Sequence, residues 1–151
     1  MVPVIKRWRF TIAALVIAVV ATLVYQFWYR RVPEGCQPVQ ELLSFNSAQS
    51  KVIEDKTKGD DKGLPTPDQL AAYTAWADGL ADRAGKVTVP DLAQHSVELA
   101  TLANKFVGKL KLISSTPHAP GAPPPPEYYE LTIINDQIND ELGQLKKSCQ
   151  R

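Results

Sequence analysis

Residues 10–29, FTIAALVIAVVATLVYQFWY, carry no charged side chain, and no other feature limits the chain's fold so strongly. Only Thr11, Thr22 and Gln26 are clearly polar. As an α-helix this run is about 30 Å long, the thickness of a bilayer hydrocarbon core. Trp8 and Phe10 lie at one end and Tyr25, Phe27, Trp28 and Tyr29 at the other. Such rings favour the headgroup level, so they read as two aromatic belts. Lys6, Arg7, Arg9 and the terminal amine precede the run, while Arg30 and Arg31 follow it. The basic bias predicts a cytoplasmic N-terminus. The expected organisation is a cytoplasmic segment 1–9, a transmembrane helix 10–29 and an extracytoplasmic domain 30–151, held on the cell (inner) membrane by a single pass. Val19-Val20-Ala21 could serve instead as a signal-peptide cleavage site. The apolar run continues well past Ala21, which favours an uncleaved anchor. Ala14, Ala18, Ala21 and Thr22 recur at steps of three and four, a small-residue strip suited to lateral packing against another membrane helix. With no ionisable group inside it, this helix cannot by itself be a pump or channel pathway.

Charge is distributed unevenly. Residues 1–31 hold five basic side chains and no acidic one, which leaves 12 basic and 16 acidic residues and a net charge of −4 in 32–151. A mildly acidic body is a poor partner for nucleic acid, whose phosphates call for clustered Lys and Arg.

Four helical patterns follow the apolar run. The first spans about 38–56, opening at Pro38, with an apolar face from Val39, Leu42, Leu43, Phe45, Val52 and Ile53 that Asn46 and Gln49 interrupt. Two glycines and a proline in TKGDDKGLPT then break it. The second begins at Thr66-Pro67-Asp68-Gln69, a capping-box pattern, and runs along Leu70, Tyr73, Thr74, Ala77, Leu80, Ala81 and Ala84 to a stop at Gly85. The third, 90–113, alternates steps of four and three through Leu92, Ser96, Leu99, Ala103, Phe106, Leu110 and Ile113. The fourth, 127–149, carries Leu131, Ile134, Ile138, Leu142, Leu145 and Cys149 on one side. Between the last two, segment 116–126 is dominated by proline. It predicts an extended strap, either a stiff linker or a docking strip for an aromatic groove. Val87-Thr88-Val89 is too short for a strand. The fold class expected is all-α: one transmembrane helix followed by a small extracytoplasmic bundle of three to four helices.

Cys36 and Cys149 bracket that bundle. A lipoprotein anchor conflicts with Glu34 just before Cys36. A reactive thiol needs an electropositive setting, and a metal site needs further ligands, whereas His95 and His118 lie far off in sequence. In an up-down four-helix bundle the start of the first helix and the end of the fourth share one pole, so a Cys36–Cys149 disulfide is expected in an oxidising compartment.

Catalytic patterns are missing from the sequence. There is no Gly-rich phosphate loop, HExxH or GxSxG, and adjacent His95 and Ser96 point apart on a helix. The pairs Asp60-Asp61 and Asp140-Glu141 read as surface charges. In IINDQINDEL, Asn135 and Asn139 share a helix face, as do Asp136 and Asp140; a solvated face is the main reading, a divalent-cation or partner-binding face the lesser one. Trp76 falls off its helix's apolar stripe, and Tyr128 and Tyr129 sit where the proline strap meets a helix. These three rings are candidate partner anchors, with coverage of the strap as the competing role for Trp76.

The layout of basic N-terminus, single membrane helix and small helical domain closed by end cysteines, with RRVPEGC and VPDLAQHSVELATLANKF as its most distinctive stretches, resembles small single-pass envelope proteins of actinobacteria. Among them it is similar to the accessory subunits of mycobacterial MCE (mammalian cell entry) type lipid importers. That resemblance implies docking beside permease subunits and bracing the complex. The expected function is therefore a non-catalytic accessory subunit of a multi-subunit envelope complex, a lipid transporter before a respiratory complex. Its partners would be integral membrane subunits and the lipid bilayer, with no cofactor and no metal. The alternative is a membrane-tethered binding protein that takes a lipid or cell-wall ligand between its helices.

Overall fold

The computed structural model describes residues 32–59, 64–117, 119 and 121–150. The chain divides into two units, Met1–Val32 and Pro33–Arg151, and the second contains all the described helices. The expected membrane span 10–29, with Ala14, Ala18 and Ala21, lies outside the described residues, as do Asp60, Asp61 and His118. Among the described residues no helix is long and apolar enough to cross a membrane.

Four helices form the second unit: α1 (Gln37–Thr57), α2 (Pro67–Ala84), α3 (Pro90–Ser115) and α4 (Pro126–Cys149). No strand occurs among the described residues, so the domain is all-α. Each helix has a proline in its first or second position, Pro38, Pro67, Pro90 and Pro126. There the missing N–H costs no helical hydrogen bond and the ring fixes a helical φ. At α2 the expected capping box is complete: Thr66 Oγ1 accepts from Gln69 N–H, and Gln69 Oε1 accepts from Thr66 N–H. Gly85 ends α2 as expected, but in right-handed backbone (φ −63°, ψ −15°), its N–H donating to Ala81 O.

The helices run up and down in chain order. Gln69 Nε2 donates to Lys56 O, which ties the end of α1 to the start of α2. At the other pole Gly35 lies against Val89, so the start of α1 meets the start of α3. Gly35 is third in the turn closed by Cys36 N–H to Pro33 O, and its φ of +86° is the left-handed position that a type II turn requires there. Neighbouring helices pack along their lengths, α1 on α2, α2 on α3 and α3 on α4, while α1 and α4 meet only briefly.

Cys36 and Cys149 are joined across that last seam, with S–S 2.01 Å and Cα–Cα 5.6 Å. Val39, Leu42, Leu80, Leu99 and Leu145 are fully enclosed in the core. Ser96 is equally buried and donates to Leu92 O, which satisfies its hydroxyl within its own helix. A second cluster at the pole away from the disulfide joins Leu110, Ile113 and Leu131 to Leu70, Tyr73 and Phe106.

The buried surface of α2 differs from its sequence stripe. Gln69, Ala72 and Trp76 are buried together with Ala77, Leu80 and Ala84, whereas Ala81 is exposed. A one-sided stripe suits a helix with one neighbour, but α2 lies between α1 and α3 and must bury two flanks. Trp76, expected at an edge, is 7% exposed for this reason.

Candidate functional site

The seam between α1 and α4 changes character along its length. Next to the disulfide Val39 and Leu42 of α1 and Leu145 of α4 are fully buried. Further along, α1 offers Asn46, Ser50 and Thr57, and α4 offers Asn135 and Asn139. Short polar side chains neither fill the space between helices nor gain from burial, so the two helices part. A cleft of about 330 Å³ results, within the range of small-ligand sites.

Aromatic rings from α2 and α3 floor this cleft. Tyr73 and Phe106 have centroids 5.6 Å apart, and Trp76 meets both edge-to-face at 6.4 and 6.3 Å. Trp76 Nε1 donates to Asn46 Oδ1 at 2.8 Å, which satisfies the indole and fixes the Asn46 amide at the wall. Burial pushes the Tyr73 phenol above its ordinary pKa of 10.0, the sign of a low-polarity floor. Ile138 is buried beneath, while Ile53 and Leu142 stay half-buried at the sides.

A more open depression of about 660 Å³ adjoins the cleft, sharing Asn46 and Leu142; Leu43, Gly143 and Lys146 line it on the disulfide side, and Ser47 and Lys51 lie past Asn46 away from the disulfide. On the opposite flank of α1, Phe45 packs onto α2 at Gly79, where a Cβ would fall 2.1 Å from Phe45 Cζ. The Arg83 guanidinium covers the same ring at 3.8 Å and donates to Gly79 O.

Of the residues singled out in the sequence, Cys36 and Cys149 form the expected disulfide. Trp76 engages Asn46, Tyr73 and Phe106 from inside the bundle, which corrects its expected edge position. Tyr128 and Tyr129 are 52% and 63% exposed in the first turn of α4. Asn135 and Asn139 line the cleft, while Asp136 and Asp140 are exposed outside it. No group of three or more metal-capable side chains occurs among the described residues. His95 does have a partner, contrary to its isolation in sequence. Its Nδ1 lies 2.6 Å from Glu141 Oε2 and links α3 to α4, as the Lys109–Glu130 pair does nearer the other pole. Glu141 therefore departs from the surface-charge reading it shares with Asp140: its side chain is 20% exposed and engaged.

The cleft itself is not visible in the sequence. Its signal is the break at Asn46 in the face of α1 and the Asn135/Asn139 pair, each ambiguous until the two helices face each other. Comparison with protein-family models, curated proteins and solved structures finds no match.

Proposed function

We propose that the protein is a non-catalytic accessory subunit of a multi-subunit membrane complex, anchored by residues 10–29 and contacting its partner through the pole away from the disulfide. One observation carries this reading: large apolar side chains lie bare around that pole. Leu64 before α2, Leu112 in the last turn of α3, and Tyr128, Tyr129 and Ile133 at the start of α4 are 44–63% exposed. Tyr129 and Ile133 stand one turn apart on α4 and form a continuous apolar strip. Amphipathic rings beside an aliphatic side chain make effective interface anchors. The disulfide ties the opposite pole, where the chain enters the bundle, which leaves this pole free for a partner.

The layout favours an envelope lipid importer as the partner assembly. Affinity purification of the full chain from its native membrane, with identification of the co-purifying chains, tests the reading. Tyr129→Glu together with Ile133→Glu should weaken recovery of membrane subunits at least tenfold while leaving helix content unchanged, since both side chains are exposed. A wild-type chain that purifies alone, or a variant that retains the same partners, refutes it.

A further inference from the structure

The cleft between α1 and α4 combines an aromatic floor with a neutral polar rim. The disulfide sets the register of these two antiparallel helices. Asn46 is ten residues from Cys36 and Asn139 ten residues from Cys149; Ser50 and Asn135 are each fourteen residues from the same cysteines. Equal distances from the tie bring Asn46 level with Asn139 and Ser50 level with Asn135. The two tiers are one helical turn apart, about 6 Å. Asn46 Oδ1 is taken by the Trp76 indole, which leaves the Asn46 amide nitrogen to donate. The side chains of Ser50, Asn135 and Asn139 line the cleft and make no hydrogen bond with described residues. Below them Tyr73 and Phe106 are half-buried where they line the floor. No Lys, Arg or His lines the cleft among the described residues, and its carboxylate, Glu54, lies 3.6 Å from Lys58.

We infer that this cleft binds a neutral saccharide of one or two pyranose rings. A pyranose matches both surfaces. Its C–H face is apolar and weakly positive, and it lies well on the negative face of an aromatic ring. Its hydroxyls each donate and accept, as the facing amides do, and one amide can bridge two neighbouring hydroxyls. Other ligand classes meet a physical cost. An anion finds no cation on the described lining. An alkyl chain covers the amide rim and leaves it without water or a partner. A volume of about 330 Å³ does not admit a helix, a cylinder about 10–12 Å across. The site is separate from the apolar pole, and either can fail without the other.

The test uses the full chain, labelled with nitrogen-15, in nanodiscs of zwitterionic lipid. Maltose, cellobiose and N,N′-diacetylchitobiose are titrated in turn, and NMR follows the side-chain amides of Asn46, Asn135 and Asn139. At least one disaccharide should shift these signals saturably, while glycerol and inorganic phosphate should not. Asn135→Ala/Asn139→Ala puts a stronger helix former at two exposed positions, so helix content should hold. It should raise the dissociation constant of that disaccharide at least tenfold. Tyr129→Glu/Ile133→Glu should leave the constant unchanged, which separates this site from the partner surface. The proposal is overturned if none of the three disaccharides shifts these amides saturably, if glycerol reproduces the shifts, if the double-alanine variant binds like wild type, or if octanol occupies the cleft more tightly than every disaccharide.

Discussion

Removing the Cys36–Cys149 bond should loosen the domain, and unevenly. The substitution Cys36→Ala/Cys149→Ala is the suitable perturbation, because both positions are nearly fully buried (3% and 5% exposed) and serine would bury two hydroxyls. The bond closes a loop of 113 residues, which the chain-entropy relation converts to about 4–5 kcal/mol at 25 °C. For a helical unit of this size about 4 °C of melting temperature accompanies each kcal/mol, so Tm should fall by about 15–20 °C. Where the loss appears follows from the seams. α1–α2, α2–α3 and α3–α4 pack extensively, but α1 and α4 meet only briefly. Without the covalent tie, the seam lined by Asn46, Ser50, Asn135 and Asn139 has little to hold it. Thermal unfolding by circular dichroism, with and without reductant, measures the total. Hydrogen exchange on the native state locates it, with protection lost in α1 before α2 and α3. A Tm change below about 4 °C, or protection lost evenly across all four helices, refutes the reasoning.

Further outcomes are expected at single positions. Gly143 is helical and exposed, and a Cβ added there would meet nothing within 4 Å, so Gly143→Ala should stabilise by about 0.5–1 kcal/mol. Gly79→Ala sets a methyl against the Phe45 ring and should destabilise by about 1–3 kcal/mol before the helix-propensity gain is subtracted; chemical denaturation separates the two signs. For Tyr73, burial raises the phenol's pKa above 10.0. Above pH 10 the unfolded chain releases this proton while the folded one holds it, so stability is intact below that pH and falls as pH rises toward the folded value. Alkaline unfolding of Tyr73→Phe should lack this part of the slope, and an identical slope in both proteins would count against it.

The sequence determined the elements and their order. Proline at the head of each helix, the Thr66–Gln69 box and the three-four spacing in α3 are local signals, each satisfied by neighbours within a few residues. The disulfide is legible for a related reason: four alternating helices return the last to the pole of the first. What the sequence leaves open depends on which helix lies opposite which. Trp76 reads as an edge residue because a single stripe ignores the second neighbour of α2. His95 reads as isolated because Glu141 is 46 residues away. Asn46 reads as a break in one apolar face, and Asn139 as part of a solvated face on another helix. Only the tertiary structure sets those polar positions across from each other, where they cannot fill the space between α1 and α4. The cleft is a property of the pair, since an empty volume has no residue of its own to announce it.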